Sequence, residues 1–268
     1  MVNTEDLQNW AEKLYEAEKS RQPISPMTDQ TALTIDEAYD IQQRIIALKC
    51  QTGQHVVGKK IGLTSQAMQH MMGVDQPDFG HLMSVMAYSD GESIPLSRLI
   101  QPRLEAEIAF MLHRDLEGPG LTAREVLEAT EYVVPCLEIV DSRIVDWRIA
   151  LADTIADNAS SGLYVVGNAL KSPRSLDLDL VGMVLVRNGE VVQTSAGAAA
   201  LGHPAYSVAW LANTLSEHHT PLRAGEMVLS GALGGAVPVK AEDYFVARFG
   251  GMGEVSCRFA AQSQKERR

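Results

Sequence analysis

RLEAEIAFML, residues 103–112, alternates over its whole length. Leu104, Ala106, Ile108 and Phe110 fall on one face, and Arg103, Glu105 and Glu107 on the other. A period of two is the signature of a strand rather than a helix. Along a strand, Glu105 and Glu107 point the same way and sit about 7 Å apart. Two readings of that pair stand side by side. The carboxylates face solvent, with Arg103 as a partner, or they face a cation. A third carboxylate, Glu138, sits inside the apolar run YVVPCLEIV, residues 132–140. A buried carboxylate neutralises unless something compensates its charge, so Glu138 is either satisfied by an arginine or belongs with the pair. Three carboxylates together supply the hard oxygen donors that Mg²⁺ and Mn²⁺ prefer, and the cation relieves their mutual repulsion.

Outward from this strand, most of the chain reads as short β segments. HVVGKKIGL, GLYVVG, VGMVLVRN and EMVLSGAL are β-rich and bounded by Gly, Pro or Asn. RNGE at 187–190 is a hairpin turn, and GGMG joins YFVARF to EVSCRF in another. Helices open the chain. Leu7, Trp10, Ala11 and Leu14 form one stripe. Thr34 and Glu37 make a capping box ahead of a second stripe at Ala38, Ile41, Ile45 and Leu48. Thr122 with Glu125 starts a short helix to about 130, and Pro204 suits the first turn of a late helix in HPAYSVAWLANTLSE. The expected architecture is α+β, with a mixed, curved sheet as its core and helices concentrated at the N-terminus. One catalytic domain is expected over 1–268: a mainly helical part to about 55, a mixed-β core over 56–260, and a frayed tail over 261–268.

Composition narrows the function classes. The balance of 23 basic and 34 acidic residues gives a net charge of −11, with no basic stripe for phosphate contacts, which argues against nucleic acid. The three cysteines, Cys50, Cys136 and Cys257, form no C-x-x-C pair, as suits a reducing cytoplasm. Residues 1–25 are too charged for a secretory core, and the uncharged stretch 191–216 is too polar and broken to span a membrane. His203 before Pro204 reads as a helix-start residue, and Cys136 as an inert buried thiol. GALGG and GGMG lack the context of a phosphate loop, and no G-x-S-x-G elbow is present.

Several separated segments occur in order: GKKIGLTS (58–65), GVDQPDFG (73–80), QPRLEAEIAF (101–110), VPCLEIVDSR (134–143), DTIADNASSG (153–162), LGHPAYSVAWLAN (201–213) and LSGALGGAVPV (229–239). Together they resemble the 2-keto-4-pentenoate hydratase family of the fumarylacetoacetate hydrolase superfamily, from about Leu33 to Phe259. The resemblance implies that superfamily's mixed β-roll fold and ligation of Mg²⁺ or Mn²⁺ by Glu105, Glu107 and Glu138. It makes Lys60, otherwise a plain strand lysine, a candidate for substrate binding or proton transfer. Asp78, otherwise a turn cap, becomes a candidate acid/base or orienting group, and Ser160, otherwise a loop hydroxyl, a substrate contact. Asp157 and Asn158 could brace their loop or touch ligand.

The implied reaction adds water to 2-hydroxypenta-2,4-dienoate, giving 4-hydroxy-2-oxopentanoate in meta-cleavage degradation of aromatic compounds. Sister activities are 4-oxalocrotonate decarboxylation and hydration of 2-oxohept-4-ene-1,7-dioate. GVDQPDFG is more similar to the hydratases. Relatives acting on the longer dicarboxylate carry an insertion after VDSR, whereas here only IVDWRIAL (144–151) precedes ADTIADN. The implied partners are the small 2-oxo or 2-hydroxydienoic acid, further copies of the chain and a neighbouring pathway enzyme. A non-catalytic scaffold subunit is the reading from another class, and retention of Lys60, Asp78 and all three glutamates argues against it.

Overall fold

The computed structural model describes residues 2–66, 69–70, 73–217 and 220–261. The expected C-terminal tail QSQKERR lies outside the described residues. Two antiparallel-rich sheets face each other. Strands of the first are β1 (Val56–Gly62), β2 (Asp78–Met83), β3 (Ala87–Ser89), β5 (Arg103–Leu112), β6 (Thr130–Val140), β7 (Ser161–Val166), β10 (Met227–Leu229) and β11 (Val237–Pro238). Their order is β2-β1-β10-β5-β6-β7-β3, with β11 added to the start of β5. The second sheet is β4-β13-β12-β8-β9, built from β4 (Ser93–Pro95), β8 (Gly182–Arg187), β9 (Glu190–Ala196), β12 (Tyr244–Phe249) and β13 (Gly253–Ala260). Both sheets are mixed, because β1 with β10, β3 with β7 and β4 with β13 run parallel. β12 and β13 pack on β6 and β7, so the main core lies between the sheets.

β5 and β6 form the central ladder, paired antiparallel from Arg103–Val140 to Leu112–Thr130. Leu104, Ala106, Ile108 and Phe110 are buried, as the alternation requires, but Glu107 is buried as well. β5 is therefore covered on both faces rather than half-exposed.

Helix α1 (Thr4–Ser20) packs on α2 (Ile35–Gln51), and α2 packs on α4 (Leu151–Ala156), around a smaller core of Leu7, Trp10, Ile41 and Ile155. The Thr34–Glu37 box caps α2: Glu37 N–H donates to Thr34 Oγ1 at 3.2 Å, and Thr34 N–H donates back to Glu37 Oε2 at 2.9 Å. α3 (Ala123–Ala129) packs against α5 (Pro204–Ser216), and α5 lies on β1. His203 caps α5, its Nδ1 accepting from Ala205 N–H at 3.0 Å. The two longest helices thus stand at the start of the chain, as expected, and three shorter ones follow among the strands. β2 and α4 have no counterpart in the sequence reading. The DFGHLM strand is buried at every position, so it carries no alternation to read. Among the described residues, no helix is long and apolar enough to cross a membrane.

Candidate metal centre

In the β5–β6 ladder Glu105 stands directly opposite Glu138, and Glu107 opposite Cys136. Residues opposite one another, or two apart on one strand, share a face. The three glutamates therefore converge, and one carboxylate oxygen from each lies within 4.8 Å of the others. Glu107 is 0% and Glu138 1% exposed. Glu107 Oε2 accepts the Gly231 N–H at 2.8 Å, but its Oε1 has no hydrogen-bond partner, nor has either oxygen of Glu138. The nearest charge to Glu138 is Lys60 Nζ, 3.3 Å from Oε1, close enough for an ion pair but outside hydrogen-bond geometry.

That arrangement is unfavourable without a cation. Burial, the Glu138 charge and the Glu105 charge push Glu107 well above the usual carboxylate range. Burial and Glu138 push Glu105 up to about 7, against the pull of Lys60. Native proteins rarely leave buried carboxylate oxygens unpartnered. Three unpartnered oxygens and three clustered hard donors fit a divalent cation with an oxygen preference, and leave coordination positions for water or a chelating ligand. The solvent-face reading fails on the burial of Glu107, while Glu105 is half-buried and lines a cleft. The partner of Glu138 is a lysine, not an arginine.

Lys60 and Asp78 come from neighbouring strands. Lys60 is opposite Gly80 in the β1–β2 ladder, and Asp78 opposite Gly62. Alternation on β1 sends the two lysines apart: Lys59 ion-pairs with Glu226 at 2.8 Å, while Lys60 turns to the glutamates. Burial opposes the Lys60 charge, but Glu138, Asp78, Glu105 and Glu107 outweigh it, and Lys60 holds its proton above the usual lysine range. Burial raises Asp78 in spite of Lys60, and Asp78 Oδ1 has no hydrogen-bond partner. Gly62 makes room for both. A Cβ there would stand 2.1 Å from Asp78 Oδ1 and 3.5 Å from Lys60 Nζ. The sequence reading did not single out Gly62, although its place in GKKIGLTS was the available signal.

Ser160 ends a turn in which Asn158, Ala159 and Ser160 all have left-handed φ, at 55°, 49° and 53°. Each such residue costs about 1–2 kcal/mol without a glycine, so tertiary contacts must impose the turn. Arg143 does so. Its guanidinium holds the Asp157 carboxylate and backbone oxygen and donates to Ser161 O at 2.8 Å. Asn158 clamps β2: its Oδ1 accepts the His81 N–H at 2.7 Å and its Nδ2 donates to His81 O at 2.9 Å. Asp157 and Asn158 therefore brace the loop, and Asn158 also holds the strand that carries Asp78. His81 bonds Gln42 Oε1 at 3.0 Å, and burial drives its pKa down to about 3, so it stays neutral.

Lys60, Asp78, Glu105 and Ser160 line one cleft of about 290 Å³, and Glu107 and Glu138 lie behind it. All six candidate residues thus belong to one place in the fold. The Fumarylacetoacetate (FAA) hydrolase C-terminal family model matches residues 55–260. The chain is 53% identical to a 2-keto-4-pentenoate hydratase of Paraburkholderia xenovorans (strain LB400), over 93% of each protein. This chain belongs to the 2-keto-4-pentenoate hydratase family of the fumarylacetoacetate hydrolase superfamily.

Other relatives frame that family. A 2-hydroxyhexa-2,4-dienoate hydratase of Comamonas testosteroni is 47% identical, covering 97% of this chain and 99% of its own. Among solved structures, 4-oxalocrotonate decarboxylase from Pseudomonas putida G7, complexed with magnesium and adipate, superposes with a TM-score of 0.94 at 39% identity. It covers 97% of this chain and 99% of its own. The hydratase family's fold is the α+β arrangement expected from the sequence, with its mixed sheets built around the β5–β6 ladder.

Proposed function

We propose that the chain is a metal-dependent hydro-lyase, adding water to 2-hydroxypenta-2,4-dienoate to give 4-hydroxy-2-oxopentanoate, as a step of meta-cleavage degradation of aromatic compounds. The observation that carries this reading is the three-glutamate cluster beside Lys60 and Asp78, in a chain 53% identical to a hydratase along nearly its whole length. Glu105, Glu107 and Glu138 hold Mg²⁺ or Mn²⁺, with magnesium bound in the related decarboxylase and manganese in a more distant fumarylpyruvate hydrolase of the same fold. A cation there supplies Lewis acidity to the 2-oxo group of a chelating 2-oxo acid.

The chain's own groups do the rest. Asp78 Oδ1, buried and unpartnered, passes the proton released from the 2-hydroxyl to carbon 5, and passes the proton taken from the water that adds at carbon 4 to carbon 3. The Lys60 ammonium stays charged beside Glu138 and stabilises negative charge developing on the substrate oxygen. Ser160 Oγ, on its braced turn and 3.3 Å from Thr154 Oγ1, offers a hydroxyl to the ligand. The N-terminal helices, the two sheets and the cleft work as one catalytic unit, and the free cysteines are consistent with a cytoplasmic enzyme. Homo-oligomerisation and association with a neighbouring pathway enzyme complete the proposal.

Purified protein with Mn²⁺ tests it. Loss of dienol absorbance with formation of 4-hydroxy-2-oxopentanoate is expected. Carbon dioxide release from 2-oxohex-3-enedioate, without hydration of the pentadienoate, would assign the chain to the decarboxylases instead.

A further inference from the structure

Arg103 shares the face of β5 with Glu105 and Glu107 and stands two residues before the first of them. It lines the same cleft as Lys60 and Asp78, at the end formed by Trp147 and Ile149. Its guanidinium carbon lies 4.4 Å over the Trp147 ring. Among the described residues that guanidinium makes no hydrogen bond and no ion pair, either with Glu105 or with Asp146 nearby. An arginine presents a planar fork of donors matched to a carboxylate. Stacking on an indole fixes the plane of the fork and leaves its edge free.

The support beneath it is built with some strain. Asp146 and Trp147 both take left-handed φ, 57° and 56°, although neither is glycine. Trp147 Nε1–H donates to Gln101 O at 3.0 Å, tying the indole to the segment leading into β5. Asp141 in turn accepts the N–H groups of Ile100 at 2.9 Å and Gln101 at 2.7 Å. Val140, Ile149, Ala232 and Ala236 give the cleft apolar wall, and Asp146 adds one carboxylate. The cleft therefore holds two cations with different surroundings. Lys60 sits inside against Glu138, and Arg103 sits at the mouth with its donors unused.

We propose that Arg103, seated over Trp147, binds the carboxylate of the 2-oxo acid and fixes its direction in the cleft. One carboxylate oxygen and the 2-oxo oxygen would face the glutamate cluster, the other carboxylate oxygen the Arg103 fork, and the carbons that gain a proton and water lie toward Asp78 and Lys60. This inference rests on the reading of the ligand as a 2-oxo acid, and it adds the residue that selects for its charge. Trp147 is a positioning residue in this arrangement.

The test compares pyruvate with its uncharged methyl ester, binding to Mn²⁺-loaded protein by calorimetry. Wild-type protein should prefer pyruvate. Arg103→Met should cut that preference by roughly 30-fold or more, because a charge-assisted pair is lost, while affinity for the ester and for Mn²⁺ alone stays within about 2-fold. An unchanged preference in Arg103→Met overturns the proposal, as does wild-type protein that binds neither ligand. Should Arg103→Met fail to fold by its melting curve, Arg103→Lys decides. A roughly 10-fold fall in the preference supports the pairing, since the fork is lost and the charge kept, and no fall refutes it. The readout needs no turnover. Protein that discriminates through Arg103 but hydrates no dienoate loses the proposed function and keeps this inference, and the opposite pattern does the reverse.

Discussion

Replacing Glu107 with glutamine keeps the side chain's shape and its acceptor for the Gly231 N–H, but removes one of three clustered negative charges. The donor oxygens lie within 4.8 Å of one another. At an effective dielectric constant of about 20, two unit charges about 5 Å apart repel by about 3 kcal/mol. Glu107 faces two such neighbours, and its raised pKa means that part of the repulsion is already relieved by protonation. A net gain of about 1–3 kcal/mol for the metal-free protein follows, equivalent to roughly 3–10 °C in melting temperature for a chain of this size. The same change removes a ligand. A metal present at about 100 times its dissociation constant stabilises a folded protein by about 2.7 kcal/mol, and Glu107→Gln should lose that increment. Melting curves of both proteins, each with chelator and with excess Mn²⁺, read the two effects together. The variant should melt higher than wild type in chelator and gain far less than wild type from Mn²⁺. A variant that melts lower in chelator and gains from Mn²⁺ as much as wild type would refute the cluster as a cation site.

Three further outcomes can be checked alongside. Glu105 and Glu107 hold protons above the ordinary value of 4.5, Glu105 to about 7. Folded-state values raised in this way give stability that is present below 4.5 and lost as pH rises through about 7. Metal-free protein should accordingly melt lower at pH 8 than at pH 5, and saturating Mn²⁺ should abolish the decline, a comparison made by scanning calorimetry. Lys60→Met should lower kcat/KM on the pentadienoate by about 10²–10⁴-fold while Mn²⁺ still binds in titration calorimetry; near-normal turnover would remove Lys60 from the chemistry. Gly62→Ala places a methyl 2.1 Å from Asp78 Oδ1, so kcat should fall by about 10²-fold through displacement of that carboxylate, with Mn²⁺ affinity kept. Unchanged steady-state rates would show that Asp78 need not occupy its present position.

The parts of this molecule legible in its sequence are those with a local periodicity or a local motif. The alternation of RLEAEIAFML placed Glu105 and Glu107 on one face, and the ladder then set Glu138 opposite Glu105. Register between strands is a tertiary property, so no local rule could supply that pairing; carboxylates inside apolar runs grouped the three as one reading, and resemblance decided for it. DFGHLM escaped because both of its faces are buried, and Pro77 before it and Gly80 within it read as a turn. The left-handed turn at 158–160 had no signal at all. Asn158 tolerates such φ values but Ala159 and Ser160 do not announce them, and the turn exists because Arg143 and His81 hold it. Arg103 was visible only as a possible partner for the glutamates, and the structure turns its guanidinium to Trp147 instead.

The proposed reaction needs both a cation site and the addition of water. Turnover of 2-hydroxypenta-2,4-dienoate by the Mn²⁺-loaded protein in water enriched in heavy oxygen, followed by mass analysis of the product, addresses both at once. The account predicts 4-hydroxy-2-oxopentanoate with heavy oxygen in its carbon 4 hydroxyl, formed with Mn²⁺ and absent with chelator. Formation of that product at the same rate in chelator, or unaltered dienoate with Mn²⁺ present, would contradict it.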